Sequence, residues 1–135
     1  MRTVVVRLRP GQDLEAELLA LAERERIQAG WVVTCVGSLS RATLRLAGAT
    51  RQHTTDGALE IVALAGTISQ AGSHLHLAVA DDRGVTLGGH LLAGCVVRTT
   101  AEVVLGADDR LRFEREHDPE TGHRELLVHA PERPS

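Results

Sequence analysis

The chain has 135 residues, 43% of them apolar, enough for one globular domain with a sizeable core. Fifteen arginines, with no lysine, stand against eighteen acids for a net charge of −3, a balance that disfavours a protein built to bind nucleic-acid phosphates. Trp31 and Phe113 are the only aromatic residues, which excludes a stacking platform for single-stranded nucleic acid and leaves the core to Val, Leu, Ile and Ala.

Residues 3–8 form a β-branched run that Pro10-Gly11 ends. Charge interrupts the first residues and no apolar signal-peptide core follows. No run approaches transmembrane length, so a cytoplasmic protein without membrane contact is expected. The spacing of Leu14, Leu18 and Leu21, with Ala22 beside them, predicts a helix over residues 13–29. Asp13, Glu15 and Glu17 suit its start, Arg24 and Arg26 its end, and Gly30 is the predicted C-terminal cap. Residues 31–38 read as a strand broken at Gly37, with Trp31 a core anchor, and residues 42–46 as another strand. Residues 49–57 are polar and predict a loop. Residues 59–68 are apolar on both alternating faces and predict a central strand buried on both sides. After the stretch that follows them, residues 96–105 are a further strand. Residues 111–116 and 125–129 make a last hairpin. One helix followed by many strands predicts an α+β fold with a mainly antiparallel sheet: a single domain over residues 1–130 and a frayed tail over 131–135. Cys35 and Cys95 lie in apolar strand-like surroundings and read as buried free thiols.

The stretch Gly72-Ser73-His74-Leu75-His76-Leu77, followed by Gly88-Gly89-His90-Leu91, carries the chemistry. His74 and His76 are two residues apart on a strand and share a face. Between them and His90 lies the turn signal Asp81-Asp82-Arg83-Gly84. If Asp81 pairs with Val85 across the three-residue loop 82–84, Gly84 takes the left-handed position and His76 falls opposite His90. His74 then lies diagonally within reach of a shared ion. A loop of two or four residues would turn His90 to the other face. Three imidazoles with an open fourth position suit zinc, and imidazole also suits copper, nickel and iron. His53, His117, His123 and His129 read as surface residues.

Residues 57–68, His74-Leu75-His76 and residues 88–97 together resemble the PPC domain, the "plant and prokaryote conserved" domain. The resemblance extends over nearly the whole chain, including the early helix and the last hairpin. It implies an α+β fold with an antiparallel sheet and a homotrimeric assembly. Plant members carry the domain behind AT-hooks and bind AT-rich DNA, and stand-alone prokaryotic members are labelled DNA-binding by that analogy. The partner-contact segment of the plant proteins corresponds here to residues 57–62, where Ala58 and Leu59 replace Arg and Phe and Glu60 is kept. No AT-hook is present: Arg7-Leu8-Arg9-Pro10 has leucine where the hook needs glycine. The three histidines are carried by prokaryotic-type members.

Three functions follow as expectations. The first is a homotrimeric metal protein, zinc or another divalent transition metal on His74, His76 and His90, with a regulatory or accessory role; Glu60 is the candidate extra or supporting carboxylate. The second is a metal-dependent hydrolase-type enzyme with Glu60 or Glu102 as base and Arg98 or Arg41 on an anionic substrate. The third is a direct DNA-binding regulator.

Overall fold

Asp13 starts the helix. One of its carboxylate oxygens accepts from the Ala16 N–H at 2.9 Å and the other from the Gly94 N–H at 2.6 Å, so the cap also ties the helix to a distant loop. In the computed structural model, which describes all 135 residues, the order is β1 (Arg2–Leu8), α1 (Leu14–Arg24), β2 (Gly30–Arg45), β3 (Gln52–Ser69), β4 (Gly72–Ala80), β5 (Thr86–Leu91), β6 (Val96–Ala107), β7 (Arg112–His117) and β8 (Arg124–His129). The fold is α+β, one helix against an antiparallel sheet in the order β1-β6-β2-β3-β4-β5, with β7 and β8 as a separate hairpin. The end of β2 also pairs with β5, Leu44 opposite Leu91 and Arg45 opposite His90, so β2 to β5 close on themselves. Residues 130–135 carry no regular structure and are exposed. No helix is long and apolar enough to cross a membrane.

The predicted leucine stripe faces inward: Leu14, Leu18, Leu21 and Ala22 are buried. They meet one face of the sheet, including Leu39, Leu44, Leu64, Leu75, Leu77 and Leu105. Fully burying such a side chain contributes about 1.5–3 kcal/mol, and this aliphatic core needs no aromatic member. Trp31 is not part of it. It is half-buried and lies on Gly106, where a β-carbon would come within 2.7 Å of the indole.

Besides Trp31, four expectations about the elements change. The helix ends at Arg24, not near Gly30. Arg26 takes the left-handed conformation at φ 52°, its N–H donates to Glu23 O, and the Ile27 N–H donates to Ala22 O. This is a Schellman closure in which buried Ile27 supplies the apolar contact and arginine sits where glycine is usual. The two predicted strands 31–38 and 42–46 are one strand, irregular between Gly37 and Arg41. Polar residues 52–57 belong to β3, because they pair with residues 41–45 of β2 while their side chains stay in solvent. The stretch 59–68 is buried on one side only: Leu59, Ile61, Leu64 and Ile68 face the core, whereas Glu60, Val62, Ala63 and Ala65 are exposed.

Cys95 is fully buried and Cys35 half-buried, both as free thiols. Burial pushes each up to about 11, so neither is a thiolate near neutrality.

Candidate metal centre

Hairpin β4–β5 builds the site through its register. Asp81 N–H donates to Val85 O at 3.0 Å, Asp81 Oδ1 accepts from Arg83 N and Val85 N at 2.9 Å each, and Gly84 has φ 77°. The three-residue loop sets His76 opposite His90. His74 follows on the same face, two residues from His76. The ring centroids lie 5.1 Å apart for His74 and His76, 5.3 Å for His74 and His90, and 5.9 Å for His76 and His90.

One ring nitrogen from each histidine lies within 4.8 Å of the others. A tetrahedral zinc holds its nitrogens about 3.3 Å apart, from bond lengths of about 2.0–2.1 Å. Small side-chain rotations on a fixed backbone cover that difference. None of the three rings hydrogen-bonds another protein group, so both nitrogens of each are free to meet an ion or water. His74 titrates below the ordinary imidazole range, through partial burial first and then the Arg115 charge. His90 is lowered by partial burial and then by Arg45. Both effects favour the neutral imidazole that a metal requires. The donor set and its spacing therefore fit a divalent transition metal.

Glu60 shares the outer face but stands apart. It pairs with Ala80, four residues beyond His76 on β4, a strand distance of about 13 Å. Arg41 is taken by Asp56 at 2.7 Å. Glu102 lies on β6 opposite Arg7 and Val36, and Arg98 projects from β6 into solvent; neither borders the histidines. Gly89 owes its lack of a side chain to the seam, since a β-carbon there would stand 2.7 Å from the Arg45 carbonyl oxygen.

The residues that do border the histidines are Arg45, Arg115, His123, Arg124 and Glu125, around an open cleft of about 510 Å3. Arg45 arrives through the β2–β5 seam. Arg115 and Arg124 arrive through the β7–β8 hairpin, anchored where Phe113 N donates to Gln28 O at 2.8 Å and Ser69 Oγ donates to Phe113 O at 3.1 Å. None of these arginines is singled out in the sequence. Only a non-local strand pairing and a docked hairpin bring them to the site, and no spacing rule signals either.

A three-histidine face with an open side, carried on a mainly antiparallel α+β fold, defines the class: a candidate mononuclear metal centre on a sheet surface. The pattern of the Plants and Prokaryotes Conserved (PCC) domain matches residues 1–108, and the chain belongs to that family. Over 123 residues it is 54% identical to the bifunctional protein GlmU of a Synechococcus strain, covering 91% of this chain but 20% of that protein. The chain thus spans about a fifth of the length of the curated relatives it matches. A hypothetical protein of Salmonella shares the fold at a TM-score of 0.94, with 40% identity over 96% of this chain and 94% of its own. A Bacteroides thetaiotaomicron protein provisionally described as DNA-binding matches at 0.82 with 25% identity, covering 93% and 91%. A protein of Archaeoglobus fulgidus described as metal-containing matches at 0.76 with 24% identity over 94% of each chain, a likeness of fold.

Proposed function

We propose that this chain is a metal-binding protein with a regulatory or accessory role, holding zinc or a similar divalent ion on His74, His76 and His90. The observation that carries the reading is the approach of three otherwise unbonded imidazoles within 4.8 Å on one exposed face. The ion when bound supplies a Lewis-acid position. The chain's part is to orient the three rings through the β4–β5 hairpin, with partial burial favouring the neutral form of His74 and His90. An accessory role accords with a stretch of this kind forming a fifth of a longer bifunctional protein. The assembly proposed is a homotrimer, in which Val5, Val33, Val36 and Val62, each more than half exposed in the single chain, supply apolar surface for contact between copies. Light scattering at three times the chain mass supports it; a monomer at all concentrations refutes it.

A metal-dependent enzyme is the second reading, and the arginine-bordered cleft beside the histidines favours it. Direct DNA binding has less support: the chain is acidic overall, and the arginines beside the histidines line a cleft rather than a stripe.

The test is elemental analysis of untagged protein purified without chelator, with His90→Ala in parallel. The proposal expects about one transition-metal ion per chain, lost in the variant. Protein that takes up no ion even from added zinc, while remaining folded, refutes it.

A further inference from the structure

Arg45, Arg115 and Arg124 converge on the cleft beside the histidines from three different strands, and none of them is in an ion pair. Of the other twelve arginines four are ion-paired, Arg2 with Glu25 and Asp109, Arg41 with Asp56, Arg110 with Asp108 and Arg112 with Glu114, so it is the convergence on one concave space, rather than the lack of a partner, that sets these three apart. The one carboxylate bordering the cleft, Glu125, accepts from the Thr121 hydroxyl at 3.3 Å. Two of the arginines are also held in place. Arg115 donates to Thr67 Oγ1 at 3.0 Å, and Arg124 donates to the Arg115 carbonyl at 2.9 Å. Arg45 lies directly opposite His90 in the β2–β5 seam, which sets both on one face. Three unpaired guanidiniums around a concave space, two of them held by hydrogen bonds, against one carboxylate, make an electrostatic sink for an anion.

We propose that this cleft binds a small oxyanion, the carboxylate or phosphate group of a small molecule, between the arginines and the two histidines that line it, His74 and His90. The planar fork of each guanidinium matches either group, and one oxygen can point toward the histidines while the others face the arginines. A cleft of about 510 Å3 admits a metabolite-sized molecule rather than the anion alone. Two of the three arginines lie beyond residues 1–108, so the anion-binding wall is largely supplied by the hairpin that follows the matched family region. The inference deepens the metal reading and rests on it for the role of the histidines, but the arginine arrangement can be tested separately.

The experiment is calorimetric titration of zinc-loaded full-length protein with oxalate and, separately, with inorganic phosphate. Arg115→Gln, Arg45→Gln and Arg98→Gln are titrated alongside, and the metal content of every sample is measured. The expected result is binding of at least one probe, weakened about tenfold or more by Arg115→Gln and by Arg45→Gln, and unchanged by Arg98→Gln. Oxalate binding alone points to a carboxylate ligand, phosphate binding alone to a phosphorylated one. Metal-loaded protein that binds neither probe, or binds equally well without Arg115, overturns the inference and leaves the metal reading standing. If no metal is retained, the metal reading fails by itself. Oxyanion binding to the metal-free chain that Arg115→Gln abolishes then still supports the arginine cleft, and its absence overturns the cleft as well.

Discussion

Gly66→Ala perturbs the site from behind. Gly66 lies on β3 opposite Leu75, with φ at 137°, a conformation that side chains rarely adopt. A β-carbon there would overlap the His74 carbonyl oxygen and stand 3.0 Å from Leu75 Cα. Both neighbours are backbone, so β4 itself must move. The strained conformation costs about 1–3 kcal/mol, and the overpacking about another 1–3 kcal/mol. A chain of 135 residues unfolds with an entropy of about 0.3 kcal/mol per degree, so the melting temperature is expected to fall by about 7 to 20 °C. Gly57→Ala is the control: φ is 143° but no atom lies within 4 Å of the added carbon. It carries the backbone cost alone, a fall of about 3 to 10 °C. Differential scanning calorimetry of the two variants separates crowding from strain, and metal uptake by Gly66→Ala reports whether His74 has shifted. A Gly66→Ala protein that melts no lower than Gly57→Ala and keeps full metal uptake would refute this account of β3–β4 contact.

Arg26→Gly relieves the left-handed strain at the helix end and is expected to stabilise by about 1 kcal/mol; a lower urea midpoint at unchanged slope contradicts the Schellman assignment. Leu77→Ala, at a residue 1% exposed between the two histidine-bearing positions of β4 and the turn, is expected to cost about 2–5 kcal/mol in urea unfolding. A loss under about 1 kcal/mol would mean that the core collapses around the gap. Asp108 is held far below the usual carboxylate range by hydrogen bonds from the Arg110 guanidinium and backbone N–H. Its folded form is thus the more acidic, so the stability it contributes is present above the unfolded value of about 4 and is lost as pH falls below it. Asp108→Asn should therefore melt lower than the parent at neutral pH, and the gap should narrow on acidification; a gap independent of pH removes the linkage.

The histidine cluster was legible in sequence because its geometry is local. Period-two alternation places His74 with His76, and an odd loop ending in Gly84 places His90 opposite them. The arginines were not legible, since Arg45 depends on a pairing between residues 44–45 and 90–91, and Arg115 on docking of Phe113 against Ser69 and Gln28. Polarity hid the start of β3, because residues 52–57 pair by backbone while their side chains remain wet. Apolarity misled at residues 59–68, where small alanines and a displaced Val62 tolerate an uncovered face in the single chain. The helix end was misplaced because Arg26 does what glycine usually does, a substitution that only backbone hydrogen bonds reveal.

The seam between β2 and β5 has a consequence for how the molecule comes together. Hairpin β4–β5 joins its strands through a short turn, so its ring-bearing residues meet after a small loss of chain entropy. The contact of Arg45 with His90 closes a loop of more than forty residues and belongs to the slower, non-local part of folding. The three imidazoles thus assemble from neighbours in the chain, while Arg45 joins them only when the β2–β5 seam closes. If both proposed sites bind as argued, a partly folded chain would take up the cation before the anion.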